Sequence, residues 1–295
     1  MQHFQRAITP VQGLDVAHAT IGEGRPVVYI HGAVTTREEG VVALGGTLGA
    51  RHRLICIDRA GHGGSGRDTT TGSAWKQAAL IRGCVDSLGV ERPVIVGHSF
   101  GGAVALAYAL QSPEAVAGVV ALAPIAFPEP RLEQLIFGAR TLPVAGRWLG
   151  RMARPLDAVL LPMMWDGMFL PQAMTKAFRD GFPFAVASRG EQLVADGQDA
   201  ALMTAGLSRS AMSYWRCQVP VEVIQGDRDI VVNPLLQGRP LAALLPRGTF
   251  RSLPGLGHMA HHFVPEVVLE AIDRLHALEY RAVGKGQVQA TLAAA

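Results

Sequence analysis

Cysteine is scarce in this sequence, and the few cysteines lie far apart. They are Cys56, Cys84 and Cys217 in a chain of 295 residues. An odd number of cysteines without close spacing argues against a disulfide framework and against a zinc ribbon. Cys56 lies in an apolar run and Cys84 on the apolar face of a predicted helix, so we expect both to be buried thiols of the core.

Charged residues are also few, at 17% of the chain, whereas hydrophobic residues make up 49%. This composition supports a large core and excludes a globally disordered chain. The formal net charge is only +3, and the basic residues are scattered rather than gathered with aromatic ones. The sequence therefore predicts no nucleic-acid partner, and it leaves the oligomeric state open.

A secretory leader and a membrane span are both missing from the pattern. Met1–Pro10 contains no apolar run of the kind found at the centre of a signal peptide. The uncharged run Pro93–Pro113 has the length of a membrane span, but His98, Ser99 and several glycines interrupt it. A buried strand followed by a buried helix explains this run better, so we expect a cytoplasmic protein without a stable span.

Short apolar runs alternate with helical patterns along much of the chain. Continuous apolar runs suit strands that are covered on both faces, and their alternation with helices indicates a βαβ series. The sequence therefore predicts an α/β protein with a mostly parallel central sheet flanked by helices. A short hairpin is predicted over Gly13–Gly24. The other predicted strands are Val27–Ile30, Leu54–Ile57, Val94–Val96, Gly118–Leu122, Val221–Gln225 and Thr249–Leu253.

Strand patterns are missing between Pro124 and about Trp215, where Met, Trp, Phe, Arg and Pro become frequent. We interpret residues 125–215 as an inserted helical cap or lid. The α/β core would then comprise residues 1–124 and 216–295. Most of the Met and aromatic side chains fit the interiors of short helices, and a few would line an apolar pocket beneath the cap.

The pattern Gly97 to Gly101 reads Gly-x-Ser-x-Gly and lies between a predicted strand and a helix of small residues. Such a turn holds its serine on a sharp bend, so that the hydroxyl stands clear of the sheet. The first N–H groups of the next helix have no intrahelical partner, and its positive dipole end points at Ser99. The Phe100 N–H is therefore placed to bind an oxyanion that forms beside Ser99.

A serine hydroxyl needs a base to take its proton and a third group to orient that base. Two aspartates, Asp227 and Asp229, follow one predicted strand, and His258 follows the next. The carboxyl ends of these strands would share one sheet edge with Ser99. The chain order Ser, Asp, His is that of the α/β-hydrolases rather than of chymotrypsin or subtilisin.

These pieces together resemble the α/β-hydrolase fold superfamily, in its group of esterases, lipases and C–C hydrolases with a helical cap. The matching pieces are His31-Gly32, Asp58 to Ser65, Gly97 to Gly101, Gly226 to Asp229 and Gly257-His258, in this order along almost the whole chain.

The resemblance implies a role for each site residue. Ser99 would be the nucleophile, His258 the base and Asp229 the acid, while the N–H groups of Ala33 and Phe100 would form the oxyanion hole. It also implies a cap inserted after the sixth strand and no required cofactor. The family pattern Gly-x-x-Asp selects Asp229 over Asp227, which would only stabilise the turn that follows the glycine.

The remaining histidines have other predicted roles. His98 adjoins Ser99, but consecutive side chains in a tight elbow point different ways, so it is a poor base. His258, His261 and His262 cluster in the sequence, yet no Cys, Asp or Glu with ligand spacing joins them, so we expect no metal site. His261 and His262 are then expected at the surface or in a pocket wall. His31, at a strand end, is expected to have a structural hydrogen-bonding role.

The glycine-dense loop Asp58–Gly66 lacks the Lys-Ser/Thr of a P-loop and the spacing of a dinucleotide fingerprint. We expect it to be a tight crossing loop, with Asp58 and His62 as internal hydrogen-bonding residues.

The sequence thus predicts a serine hydrolase that cleaves a carboxylic ester of a small to medium, rather apolar substrate through an acyl-enzyme. Three alternatives remain: a C–C hydrolase of vinylogous diketones, a cofactor-free perhydrolase, and a ligand-binding protein without turnover. The first usually needs cationic groups near its pocket, and Arg140, Arg189 and Arg209 in the predicted cap leave it open. Ser99 disfavours dehalogenase and epoxide hydrolase chemistry, because those relatives use an aspartate at this position.

Overall fold

The computed structural model describes residues 4–68, 70–142 and 145–294, so the two ends of the predicted core, residues 1–3 and 295, lie outside the described residues. The strands are β1 (Phe4–Val11), β2 (Leu14–Ile21), β3 (Arg25–Ile30), β4 (His52–Ile57), β5 (Val94–His98), β6 (Gly118–Leu122), β7 (Val221–Gly226) and β8 (Gly248–Leu253). The helices are α1 (Arg37–Leu48), α2 (Ala74–Ser87), α3 (Phe100–Gln111), α4 (Leu132–Phe137), α5 (Gly146–Phe169), α6 (Lys176–Gly181), α7 (Phe184–Ala187), α8 (Gly190–Ala211), α9 (Gly238–Leu244) and α10 (Pro265–Ala294).

The strands form one eight-stranded sheet in the order β1-β2-β4-β3-β5-β6-β7-β8. Strands β3 to β8 run parallel to one another, whereas β2 pairs antiparallel with both β1 and β4. The predicted fold class, a mostly parallel sheet flanked by helices, is confirmed. In a parallel sheet the loops that follow the strands meet at one edge, which is where ligands bind in open α/β sheets.

Alternate residues of the central strands face opposite helical layers. In β3, Val27 and Tyr29 pack in the cluster that contains α1 and α10 residues, whereas Val28 and Ile30 pack in the cluster with α2 and α3. All four are fully buried. This two-sided burial explains why the sequence shows continuous apolar runs rather than alternation. The three cysteines are buried and free.

The N-terminal hairpin begins earlier than predicted. Its strands are β1 and β2, and they turn at Gln12 and Gly13, both of which have positive φ (51° and 83°). This is the conformation that two-residue hairpin turns favour. The predicted hairpin over Gly13–Gly24 was wrong in its bounds, because β1 is mostly exposed and shows no apolar run.

Helices α4 to α8 lie between β6 and β7, and no strand occurs among the described residues of this stretch. We call residues 125–215 the inserted segment. Trp165 and most of its phenylalanines form an apolar cluster of their own, which also includes Val34 and Met259 from loops at the carboxyl edge of the sheet. The inserted segment therefore packs against that edge. No helix in the described part of the chain is long and apolar enough to cross a membrane.

Candidate active site

Ser99 stands at a strained turn between β5 and α3. Its backbone has φ 53° and ψ −118°, a conformation that residues other than glycine rarely adopt. The turn is also too tight for side chains at its glycines, since a Cβ on Gly97 would lie 2.3 Å from the Gly101 carbonyl oxygen, and one on Gly101 would lie 2.1 Å from that of Ile30. The Ser99 N–H donates to the Leu122 carbonyl over 2.9 Å, which ties the turn to β6.

His258 and Asp229 form a buried pair at the same edge of the sheet. The His258 Nδ1 lies 2.9 Å from Asp229 Oδ2, and both side chains are almost fully buried. Three further donors bind the carboxylate. The amides of Val231 and Val232 donate to Oδ1 over 2.9 and 2.8 Å, and Gln225 Nε2 donates to Oδ2 over 3.0 Å. These hydrogen bonds fix the Asp229 carboxylate beside Nδ1 of the His258 imidazole.

The pKa of Asp229 follows from this environment. Burial alone would raise it, but the neighbouring His258 and the hydrogen bonds to the carboxylate outweigh burial and hold the pKa below its usual value. The carboxylate is therefore ionised at neutral pH. An ionised acceptor beside Nδ1 favours the tautomer with its proton there, which leaves Nε2 of His258 free to accept one.

Asp227 has a different partner. Its Oδ1 accepts a hydrogen bond from the Gly255 amide over 2.7 Å, and Gly255 has a positive φ of 74° in the loop before His258. Its own amide donates to the Leu253 carbonyl. The structure thus brings Asp229, and not Asp227, to His258. The bond of Asp227 crosses to the next loop instead of closing its own turn.

Three segments meet at the carboxyl edge of the sheet: the Ser99 turn, the loop after β3 that contains Gly32, and the loop after β8 that contains His258. A Cβ built on Gly32 would lie 3.1 Å from the Ser99 Cβ, so the loop after β3 packs directly on the elbow. The rings of His98 and His258 lie 4.7 Å apart between centroids. Among the described residues no hydrogen bond joins Ser99 Oγ to His258. Hydrogen bonds of this kind are often long in unliganded sites and tighten when substrate binds.

The two amides predicted for the oxyanion hole are available. Within the described part of the chain, neither the Ala33 N–H nor the Phe100 N–H has a hydrogen-bond acceptor. Phe100 is the first residue of α3, where an amide has no intrahelical partner. Ala33 directly follows Gly32, which packs on Ser99.

A buried arginine that the sequence reasoning missed holds the loop of Ala33. Arg59 is fully buried after β4, and its Nε and Nη2 donate to the carbonyls of His31 and Gly32, each over 3.0 Å. Its backbone N–H donates to His31 Nε2 over 3.0 Å. His31 therefore has the structural role that was expected of it.

Two aspartates of the inserted segment balance the positive charge of Arg59. Asp199 on α8 forms an ion pair with Arg59, and Asp196 accepts from the Val34 amide over 3.1 Å and contacts His62 Nε2 at 3.0 Å. Burial would raise the pKa of Asp196, but His62 and Arg59 lower it overall. The sequence signal for this network was two aspartates among the small and apolar residues of one helical stretch.

Asp58 and His62 are internal hydrogen-bonding residues, as expected. Asp58 accepts from the amides of Arg37 and Gly64 over 2.7 and 2.9 Å and pairs with the Arg37 side chain. Desolvation nevertheless raises the pKa of Asp58 above its usual value.

The expected surface position of His261 and His262 was wrong, whereas the expected pocket-wall position holds for His261, which lines a small cavity together with His258. His261 is buried, and both rings contact the carboxylate of Glu39, His262 Nε2 at 3.0 Å. Tyr29 also donates to Glu39, which is fully buried on α1. Burial would raise the pKa of Glu39, but the two histidines hold it well below its usual value. Spacing could not reveal this acid, because it lies 222 positions before His261 in the chain.

Glu39, His98 and His261 carry atoms of the types that bind metal ions, and they lie close together. Glu39, His98 and His261 each place one such atom within 4.8 Å of the others. Both ring nitrogens of His98 lack a hydrogen-bond partner in the described structure, and burial, aided by His261, holds its pKa well below the usual value. The Glu39 carboxylate already has three partners, so a cation bound here would displace hydrogen bonds that Tyr29 or His261 now makes.

A model of the alpha/beta hydrolase fold family matches residues 25–265. The chain belongs to this family. This α/β-hydrolase is similar to an uncharacterised protein of Mycobacterium tuberculosis, 26% identical over 282 residues, which cover 90% of this chain and 79% of that protein. It is also similar to 2-hydroxymuconate semialdehyde hydrolase of Pseudomonas putida, 36% identical over 103 residues, but these cover only 34% of this chain and 36% of that enzyme.

Solved structures resemble this α/β-hydrolase over nearly its whole length. An α/β-hydrolase fold protein from Burkholderia ambifaria superposes with a TM-score of 0.73 at 21% identity, covering 92% of this chain and 99% of that one. A thermophilic esterase from Thermogutta terrifontis gives a TM-score of 0.68 at 20% identity and covers 93% and 99%. Likeness at these identities shows a shared fold.

Proposed function

We propose that this protein is a serine hydrolase that cleaves a carboxylic ester of a small to medium, rather apolar substrate through an acyl-enzyme. The observation that carries the proposal is the buried His258–Asp229 pair, 2.9 Å between Nδ1 and Oδ2, at the sheet edge where the strained Ser99 turn stands. A nucleophile, a base and an oriented acid in this arrangement support acyl transfer.

In the proposed mechanism, Ser99 Oγ attacks the ester carbonyl carbon while Nε2 of His258 accepts the hydroxyl proton. Asp229 keeps the imidazole oriented and stabilises the imidazolium. The amides of Ala33 and Phe100 donate to the oxyanion, and each would stabilise the transition state by about 3 kcal/mol. The imidazolium then protonates the departing alcohol. Water attacks the acyl-enzyme with His258 as base and releases the acid.

The surroundings of these loops support an apolar substrate. Val34, beside Ala33, and Met259, beside His258, both belong to the apolar cluster of the inserted segment. An acyl or alcohol group bound against this cluster would gain about 0.8 kcal/mol for each methylene that it buries. A series of p-nitrophenyl esters measures this gain, and a rate that falls steadily from acetate with chain length would count against an apolar pocket.

The alternative of C–C hydrolysis has one observation in its favour, the local similarity to the Pseudomonas putida enzyme over 103 residues. The arginines that left it open are mostly engaged elsewhere. Arg140 binds Asp157, with Nη1 at 2.9 Å from Oδ2, and the Arg209 guanidinium lies 3.6 Å from the centre of the Trp75 ring. An ester panel and a vinylogous diketone, assayed side by side, distinguish the two reactions.

The deciding experiment is labelling with a fluorophosphonate probe, followed by peptide mapping. We expect one labelled residue, Ser99, and no label on the Ser99→Ala variant. Ser208→Ala on α8 is the matched control and should label like the wild type. Stoichiometric ligand binding without labelling would favour the non-catalytic alternative. Peroxide-dependent halide oxidation by the unlabelled enzyme, abolished by the probe, would favour the perhydrolase.

A further inference from the structure

Glu39 ties the loop that contains His258 to helix α1. The residues that follow His258 form one tight turn, Ala260–His262, whose described backbone hydrogen bonds run between residues 259 and 264. The polar link out of this turn is made by side chains. His261 and His262 both contact the Oε1 atom of Glu39, the second through Nε2 at 3.0 Å. The turn after the base is therefore anchored on a residue of α1.

The anchor is a buried carboxylate with a complete set of donors. The lowered pKa of Glu39 keeps it ionised, and an ionised carboxylate only accepts hydrogen bonds, so both histidines must donate to it. Tyr29 on β3 donates to the other oxygen of the same carboxylate. Glu39 thus joins the turn to a helix and to the central sheet at once, and this fixes the main chain that carries His258.

A row of imidazole rings runs from His261 to the base. The ring of His98 lies 4.5 Å from that of His261 and 4.7 Å from that of His258, measured between centroids. His98 is the last residue of β5 and directly precedes Ser99. A Cβ on Gly32 would lie 3.3 Å from His98 Nδ1. One ring therefore packs on the base, on the turn of the nucleophile and on the loop after β3.

His98 is held by packing. Both of its ring nitrogens lack a hydrogen-bond partner among the described residues, although the side chain is only 1% exposed. Burial, aided by the charges of His261 and His258, keeps the pKa of His98 well below its usual value, so this ring is neutral. A buried polar group without a partner costs free energy, so the ring stays here because its neighbours leave it no other place. A neutral ring also adds no positive charge beside the imidazolium that forms on His258.

We propose that Glu39 is a positioning residue that holds the imidazole of His258 in line with Ser99. It acts through the two histidines of the turn after the base and through the ring of His98. Asp229 binds the base at Nδ1, and Glu39 fixes the base from the other side. This inference rests on the proposed function, since it concerns the proton transfer from Ser99. Small displacements of groups that take part in such a transfer lower the rate strongly.

Steady-state kinetics of ester hydrolysis test the proposal. Glu39→Gln should lower kcat about twentyfold and leave KM within about twofold, because proton transfer suffers while the contacts with substrate remain. His262→Gln removes one of the two links and leaves Glu39 paired with His261, so it should lower kcat about fourfold. This milder variant decides the question even where Glu39→Gln folds poorly. The double variant should lose less activity than the product of the two single losses, because both residues act through one link.

Asp157→Asn is the matched control. Asp157 is likewise a buried carboxylate, but it lies in the inserted segment and pairs with Arg140. Its loss leaves a buried arginine without its acid, so the melting temperature should fall about as much as in Glu39→Gln. We expect kcat to stay within about twofold of the wild type. Equal losses of kcat in Asp157→Asn and Glu39→Gln would overturn the proposal, since a general loss of stability would explain both.

A second readout does not depend on catalysis. The Nδ1 proton that His258 donates to Asp229 should give a low-field proton resonance, identified by its loss in Asp229→Asn. This resonance should shift or broaden in Glu39→Gln and stay unchanged in Asp157→Asn. A resonance that is also unchanged in Glu39→Gln would overturn the proposal. A wild type that neither hydrolyses esters nor reacts with the fluorophosphonate probe would contradict the proposed function instead, and the resonance would still show whether Glu39 positions His258.

Discussion

Asp196 on α8 accepts a hydrogen bond from the Val34 amide over 3.1 Å, and so the inserted segment holds the loop that carries the Ala33 N–H. The same carboxylate contacts His62 Nε2 at 3.0 Å and lies 3.8 Å from Arg59 Nη2. Arg59 in turn binds the carbonyl of Gly32. The inserted segment and the proposed oxyanion hole are thus joined by one buried polar network.

We therefore predict that Asp196→Asn lowers kcat for ester hydrolysis about tenfold to hundredfold, because the Ala33 amide loses its alignment with the oxyanion. KM should change little, since Asp196 lies behind the loop. The buried Arg59 would also lose part of its compensating charge, so the free energy of unfolding should fall by about 3 kcal/mol. Steady-state kinetics and urea denaturation measure both effects.

Asp180→Asn is the control for this prediction, because Asp180 pairs with Lys176 on the exposed surface of α6. Such a pair contributes little to stability, and its loss should leave kcat unchanged. Equal effects of the two substitutions on kcat would contradict a positioning role for Asp196.

The two aspartates after β7 provide a matched pair for the proposed acid. Asp229→Asn should lower kcat about ten-thousandfold with the fold intact, because His258 would lose its orienting acceptor and its preferred tautomer. Asp227→Asn should leave kcat within about threefold and reduce stability by about 1 kcal/mol, since Asp227 only binds the Gly255 amide. The reverse pattern of rates would show that Asp227 is the acid.

Local patterns were sufficient for the central sheet and for the turn of Ser99. A strand covered on both faces is a continuous apolar run, and a tight strand-to-helix turn requires glycines at fixed spacing. Two turns that follow neighbouring strands predicted His258 beside Asp227 or Asp229, and the family resemblance selected Asp229. The catalytic roles of these residues stay predictions.

The buried polar networks could not be predicted from the sequence. Arg59 and Asp199 lie 140 positions apart, and Glu39 and His261 lie 222 apart, so no short motif contains either pair. A charged residue in a sequence usually indicates an exposed position, because burial of a charge is costly without a partner. Only the folded chain shows the partner that makes burial possible at Glu39 and Arg59.

From the lowered pKa of Glu39 we predict how the free energy of unfolding depends on pH. Its pKa in the folded protein is held well below the usual value, mainly because His261 and His262 outweigh the effect of burial. An acid whose pKa is lower when folded stabilises the protein above its unfolded pKa of about 4.3, and this contribution is lost as the pH falls further. Glu39→Gln should therefore cost about 3 kcal/mol at pH near 7 and progressively less in more acidic solution.

Urea denaturation of the wild type and of Glu39→Gln over a range of pH measures this difference directly. Glu266→Gln, at an exposed position in the first turn of α10, is the control. A difference between wild type and Glu39→Gln that stays constant down to the most acidic samples would show that Glu39 is not ionised in the folded protein.

Substitution by alanine should have opposite effects on stability at two glycines, Gly101 and Gly150. A Cβ on Gly101 would lie 2.1 Å from the Ile30 carbonyl oxygen, whereas one on Gly150, inside α5, would have no atom within 4 Å. Gly101→Ala should therefore destabilise the protein by about 3 kcal/mol or more, because backbone must move at the elbow. Gly150→Ala should stabilise it by about 0.5 to 1 kcal/mol, since alanine loses less entropy in a helix. Thermal unfolding followed by circular dichroism measures both, and a Gly101→Ala variant that melts like the wild type would show that β3 and the elbow are not in the close contact described.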